Sequence, residues 1–176
     1  MKLVAFDPAS LRNIGWATCT HEPNNFLYDT GTFVMPNTPK RWQVLSIMYE
    51  AVDKLLVEEK PDMVVIEQTS SFRSKKAAFV GGQVSECMGA IKASVGKQKL
   101  NLSLVYPTSI KKTVAGHGRA TKPILKNAVV RILSDLTGAK PTFSSDHACD
   151  AMASILHYLI KKGDLTIEEE NNEQVN

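Results

Sequence analysis

At 176 residues the chain is long enough for one domain with a real core, and 43% hydrophobic with 22% charged residues is a globular composition, not a fibrous or disordered one. No apolar run nears the roughly 20 residues of a membrane span, and charges at Lys2 and Asp7 come too early for an export signal, so a cytoplasmic protein is expected. The net charge of +3 is uneven: Asp164, Glu168, Glu169, Glu170 and Glu173 fall in the last 13 residues with no Lys or Arg, leaving +8 on residues 1–163, a balance that favours a polyanionic partner.

The first apolar run, Lys2–Phe6, reads as a buried strand ending at Asp7. Asn13–Thr20 and Phe26–Val34 flank the turn residues His21-Glu22-Pro23-Asn24-Asn25, which predicts an antiparallel hairpin. Thr38-Pro39 then supplies an N-cap and a first-turn proline. The helix they open is expected to run to about Glu59, with Trp42, Leu45, Met48, Val52, Leu55 and Leu56 on its apolar face. Pro61 breaks it, and Met63–Ile66 is a second buried strand, ending at Glu67.

A loop with Ser70, Phe72, Arg73, Lys75 and Lys76 follows, and then a helix from near Ala77 to Val95. That helix is rich in Gly, Ala and Ser, which allow close approach but cost about 1 kcal/mol per glycine unless packing compensates. Leu102–Tyr106 is a further strand, stopped by Pro107. Lys111–Lys122 reads as a Gly- and Lys-rich loop, Pro123–Leu136 as a helix with Thr121 or Lys122 near its cap, and Ser145–Lys162 as the last helix, ended by Gly163. The acidic segment after it has few apolar residues and is expected to be disordered. Alternating strands and helices of this kind make an α/β sandwich around a mixed sheet. Cys19, Cys87 and Cys149 lack metal-ligand spacing and read as reduced packing residues.

Four side chains stand out: Asp7 and Glu67 end apolar strands, and His147 and Asp150 open an apolar helix three residues apart, on one helical face. Such groups are costly to bury unpaired. A mostly oxygen donor set points to a divalent cation, most often Mg²⁺ or Mn²⁺. Asp146 suits the helix N-terminus electrostatically, but Asp150 lies a full turn further in. The segment Ser109–Lys122 interleaves Lys111, Lys112, Arg119 and Lys122 with glycines and with Thr113, a mixture suited to close contact with phosphates.

Taken together, Asp7-Pro8-Ala9-Ser10 with Ile14-Gly15-Trp16-Ala17, Ile66-Glu67-Gln68, the Lys111–Lys122 segment and His147-Ala148-Cys149-Asp150-Ala151 resemble the RuvC family of Holliday junction resolvases. The likeness spans roughly residues 1–162 and implies a ribonuclease-H-like fold: a mixed five-stranded sheet with helices on both faces. It also implies a nuclease domain over 1–162 and an acidic tail over 163–176. By this resemblance Asp7, Glu67, His147 and Asp150 are the catalytic, metal-binding set, holding two Mg²⁺ or Mn²⁺ ions per site. Lys122 joins the catalytic group. Phe72, Arg73, Lys75, Lys76, Lys111, Lys112, Thr113, Arg119 and Lys122 are the implied DNA contacts.

Ala9 departs from the family's glycine after Asp-Pro, and Ser70 stands where the family often carries a wedging aromatic, with Phe72 two residues later. The drifted motifs resemble a phage or divergent member, in a bacterial cell or an infected host. The implied activity is metal-dependent hydrolysis of four-way DNA junctions through paired nicks by a homodimer. A broader branched-DNA, flap or hybrid nuclease and a non-catalytic junction-binding protein are the competing readings.

Overall fold

The computed structural model describes residues 1–23, 25–38, 40–68 and 75–167, with the backbone alone for 75–81. Strands β1 (Lys2–Asp7), β2 (Asn13–Glu22) and β3 (Asn25–Val34) form an antiparallel meander, as the turn signals between them require. Helix α1 (Arg41–Glu59) leads to β4 (Met63–Glu67), and α2 (Lys75–Lys97) leads to β5 (Leu102–Val105). Three helices complete the described chain: α3 (Pro107–Ala115), α4 (Lys122–Thr137) and α5 (Asp146–Lys162). The sheet order is β3-β2-β1-β4-β5, with β4 parallel to both β1 and β5.

Strand alternation divides the core into two layers. Leu3, Ala5, Ala17, Cys19 and Val65 face one side and pack with α3, α4 and α5. Val4, Phe6, Ile14, Val64 and Ile66 face the other and pack with α1 and α2. Helix α5 crosses β1, β2, β3 and β4 and is buried over most of its circumference, as its continuous apolar run implies. Gly163, at φ +82°, ends it in the left-handed conformation that glycine adopts without penalty. The three cysteines are free and buried, as read.

Several elements differ from the sequence expectation. Helix α1 opens at Arg41, three residues after Thr38, whose Oγ1 accepts the Lys40 N–H at 3.3 Å; Pro39, expected at the first helical position, lies outside the described residues. The buried stripe of α1 is Val44, Met48, Val52 and Leu56, while Trp42 is 67% exposed. Trp42 lies two residues, about 200° of rotation, from Val44, which places it on the opposite face. Helix α3 (Pro107–Ala115) takes in residues 111–115, the start of the segment Lys111–Lys122 expected as a glycine-lysine loop. Pro107 at the first position and the i, i+4 pair Ile110 and Val114, both buried, nucleate and anchor α3, and the glycines take effect only at its end. At the C-terminus Leu165 is buried and Ile167 packs on the same cluster, so the packed body passes residue 162. The disorder expected for residues 168–176 lies outside the described residues.

Candidate metal centre

The parity that sorts the core also aims the acids. Asp7 follows Leu3 and Ala5, and Glu67 follows Val65, so both carboxylates emerge on the α5 side. Strands β1 and β4 are parallel neighbours that pair Phe6 with Ile66, so Asp7 and Glu67 stand side by side one step further, at the carboxyl ends of adjacent strands. That edge is where ligand sites of open α/β sheets form.

The start of α5 is brought to this edge by contacts the chain makes elsewhere. Ser145 caps the helix by accepting the Ala148 N–H at 3.1 Å, and its hydroxyl also pairs with Thr32 of β3 at 2.6 Å. Gly15 of β2, opposite Asp7 in the register, lies against the His147 backbone; a Cβ there would overlap the His147 carbonyl. The first turn of α5 therefore rests directly on β2.

Ligand atoms of Asp7, His147 and Asp150 lie within 4.8 Å of one another. Asp7, 7% exposed, accepts a hydrogen bond from His147 Nδ1 at 3.0 Å. A carboxylate can only accept, so Nδ1 carries a proton, and in the neutral imidazole this leaves the Nε2 lone pair free. The Asp7 bond raises the imidazole pKa against the opposing effect of burial. Glu67 is outside the trio but within its field: burial, then the charges of Asp7 and Asp150, push its carboxyl up to about 8, against relief from Lys122 and Lys111. Asp150 is likewise raised, by burial and then by Asp7. These repelling acids, with an imidazole among them, fit an oxygen-preferring divalent cation, which would remove the repulsion.

Two lysines of α4 border the cluster. Lys122 Nζ lies 3.4 Å from Asp150 Oδ2, and Lys126 Nζ lies 3.2 Å from Asp146 Oδ1. Asp146 is thus the partner of Lys126 at the exposed rim. Lys126 escaped the sequence reading, although one signal marks it: Lys122 and Lys126 share the four-residue spacing of Asp146 and Asp150. Gly15 lies within the Ile14–Ala17 motif, and its close approach to α5 is a tertiary fact.

Of the expected DNA contacts, Lys111 and Thr113 are half-buried on α3, and Lys112, Arg119 and Lys122 are exposed. Phe72 and Arg73 lie outside the described residues. Lys75 and Lys76 begin α2, where the structure describes the backbone alone. His157 is buried in α5 and is no ligand of the cluster.

The family model for crossover junction endodeoxyribonuclease RuvC matches residues 3–157. The chain belongs to the RuvC family. A RuvC from Borrelia turicatae is 30% identical over 87% of this chain and 92% of its own, and one from Rickettsia conorii is 29% identical over 92% and 99%. Among solved structures, Thermus thermophilus RuvC in complex with Holliday junction substrate superposes with a TM-score of 0.78 at 18% identity, covering 92% of this chain and 94% of that one. The yeast mitochondrial Holliday junction resolvase Ydc2 gives 0.63 at 10% identity, over 89% and 77%. The five-stranded order and the helices on both faces are therefore the ribonuclease-H-like architecture of RuvC.

Proposed function

We propose that this chain is an endonuclease that resolves four-way DNA junctions by hydrolysing phosphodiesters at the Asp7–His147–Asp150 cluster. Membership of the RuvC family supports the substrate class, and the meeting of these three donors beside Glu67 carries the assignment of chemistry to residues. Two divalent ions, Mg²⁺ or Mn²⁺, held by Asp7, Glu67, His147 and Asp150 would supply phosphate charge neutralisation and an acidified water. Asp7 orients His147 through Nδ1, leaving Nε2 to act as donor atom or proton acceptor. The imidazole makes the site more tolerant of Mn²⁺ than an all-oxygen site. Lys122 stabilises charge developing on the phosphate, while Lys111, Lys112, Thr113 and Arg119 of α3 and the turn after it hold the DNA backbone. Phe72, Arg73, Lys75 and Lys76 would extend that contact.

Paired nicks need two sites, which a twofold dimer provides. Support for α2 as its interface comes from Gly82, Gly89 and Gly96. They recur every seventh residue on its exposed side, and a Cβ on any of them would meet nothing within 4 Å. Glycine weakens a helix, and no packing within the described chain compensates here.

The test is cleavage of a mobile four-way junction, a flap and an RNA/DNA hybrid, each with Mg²⁺ and with Mn²⁺. The junction should be cut symmetrically, and Asp7→Asn should bind it without cutting. Wild-type protein that binds junctions but cuts with no divalent ion would make it a binding protein, and preferential cutting of flaps or hybrids would make it a broader nuclease.

A further inference from the structure

Lys122 is an unusual residue to find at the first position of α4. A cation there opposes the helix macrodipole, and the first turn of α4 carries no acid to offset it. The Thr121 side chain makes no capping hydrogen bond either. What holds the ammonium in place lies on another helix: Asp150 Oδ2 at 3.4 Å, within the field of Asp7 and Asp146. Lys126, four residues on, pairs with Asp146 in the same sense. The two α4 lysines thus face the two α5 acids as a ladder. The Lys122 side chain is 62% exposed while that of Asp150 is 19% exposed, so the acid is fixed and the cation is free to leave on its flexible stem.

We propose that Lys122 is the resident counter-cation of this site: its ammonium neutralises Asp150 when no divalent ion is bound, competes with the ion for that carboxylate, and turns to the DNA phosphate once displaced. This rests on the reading of Asp7, His147 and Asp150 as a divalent-cation site. A second positive charge a few ångströms from a bound ion repels it, and removing that charge strengthens ion binding even as the phosphate loses its partner. Lys122 therefore weakens cation affinity while serving the reaction, an effect opposite in sign to that of a ligand.

The test is Mn²⁺ titration of the full, DNA-free chain, read by the electron paramagnetic resonance of free Mn²⁺ and by calorimetry. Lys122→Met should bind Mn²⁺ about threefold to tenfold more tightly than wild type. Lys122→Arg, which keeps the charge, and Lys126→Met, which breaks only the rim pair, should bind as wild type does. Junction cutting by Lys122→Met should fall and stay low at saturating Mn²⁺. Unchanged or weaker Mn²⁺ binding by Lys122→Met, repeated in Lys122→Gln with melting curves showing both variants folded, would overturn the proposal and leave the cation site standing. Mn²⁺ binding that survives Asp7→Asn combined with Asp150→Asn would overturn the cation site itself.

Discussion

Gly15→Ala tests how the site is assembled without touching any charged group. The new Cβ would overlap the His147 carbonyl and stand 2.8 Å from the His147 Cβ, where ordinary contact begins at 3.4 Å. Neither neighbour can swing aside, because both belong to the first turn of α5, fastened by the Ser145 cap and the Thr32–Ser145 bond. Relief requires α5 to back away from β2 by roughly 1 Å, because the His147 carbonyl is nearer still than its Cβ, carrying His147 and Asp150 away from Asp7. Overpacking of this kind costs about 1–3 kcal/mol, which in a chain of this size lowers the melting temperature by about 2–12 °C. A misplacement approaching ~1 Å in a reacting group is worth about 100-fold in rate, so cutting should fall between about tenfold and 100-fold. Single-turnover cleavage of a four-way junction at saturating enzyme, with parallel melting curves, measures both effects. A Gly15→Ala protein that melts with wild type and cuts within about twofold of it would show that the β2–α5 contact does not position the site.

The Glu67 carboxyl, raised from 4.5 to about 8, favours the folded state below the lower value and loses that contribution as pH climbs through the higher one. Measured against Glu67→Gln, the melting temperature of the cation-free protein should therefore fall as pH rises from 4.5 to 8; added Mn²⁺ should shrink that difference, and a difference that does not change with pH would refute the assignment. With the Glu67, Asp150 and His147 pKa values all raised, Mn²⁺ binding near neutral pH should release protons, and fewer of them in Glu67→Gln, measured by calorimetry in buffers of different ionisation enthalpy. His157 is buried with no partner for Nδ1, and burial, then Lys161, lowers its pKa from 6.5. Its stabilising contribution is present above that value and lost as pH falls below it, so His157→Gln should lessen acid destabilisation in melts between pH 7 and 5. Gly89→Leu separates the roles of the α2 stripe: sedimentation should show loss of the dimer, whereas on a face open to solvent the same change would only stabilise the helix, by about 0.8 kcal/mol.

Much of this site is local information. Asp7 and Glu67 end apolar runs, and alternation along each strand decides which face they share with Leu3, Ala5 and Val65. The three-residue spacing of His147 and Asp150 puts them together on α5 whatever that helix packs against. Gly163 as a stop is equally local, since it satisfies backbone groups within a turn of itself, whereas the choice of Ser145 as the cap came from the structure. Where local signals conflicted, the reading failed: glycines near Lys112 suggested a loop, but Ile110 and Val114 gain more by burying one face of α3.

Only the tertiary structure decides the rest, because the deciding contacts join residues far apart in the chain. The pairing of β1 with β4 turns two separate strand ends into one acidic edge. The absent side chain at Gly15 matters only because α5 arrives 132 positions later to fill that space. The Glu67 carboxyl is pushed up by burial and by the charges of Asp7 and Asp150, which no stretch of sequence around it contains. Periodicity and capping act over a turn or a strand, whereas electrostatic fields and steric fit sum over whatever the fold places within a few ångströms. The sequence by itself therefore determined which side chains were available for chemistry and which way most of them point. Their distances, partners and protonation came from packing.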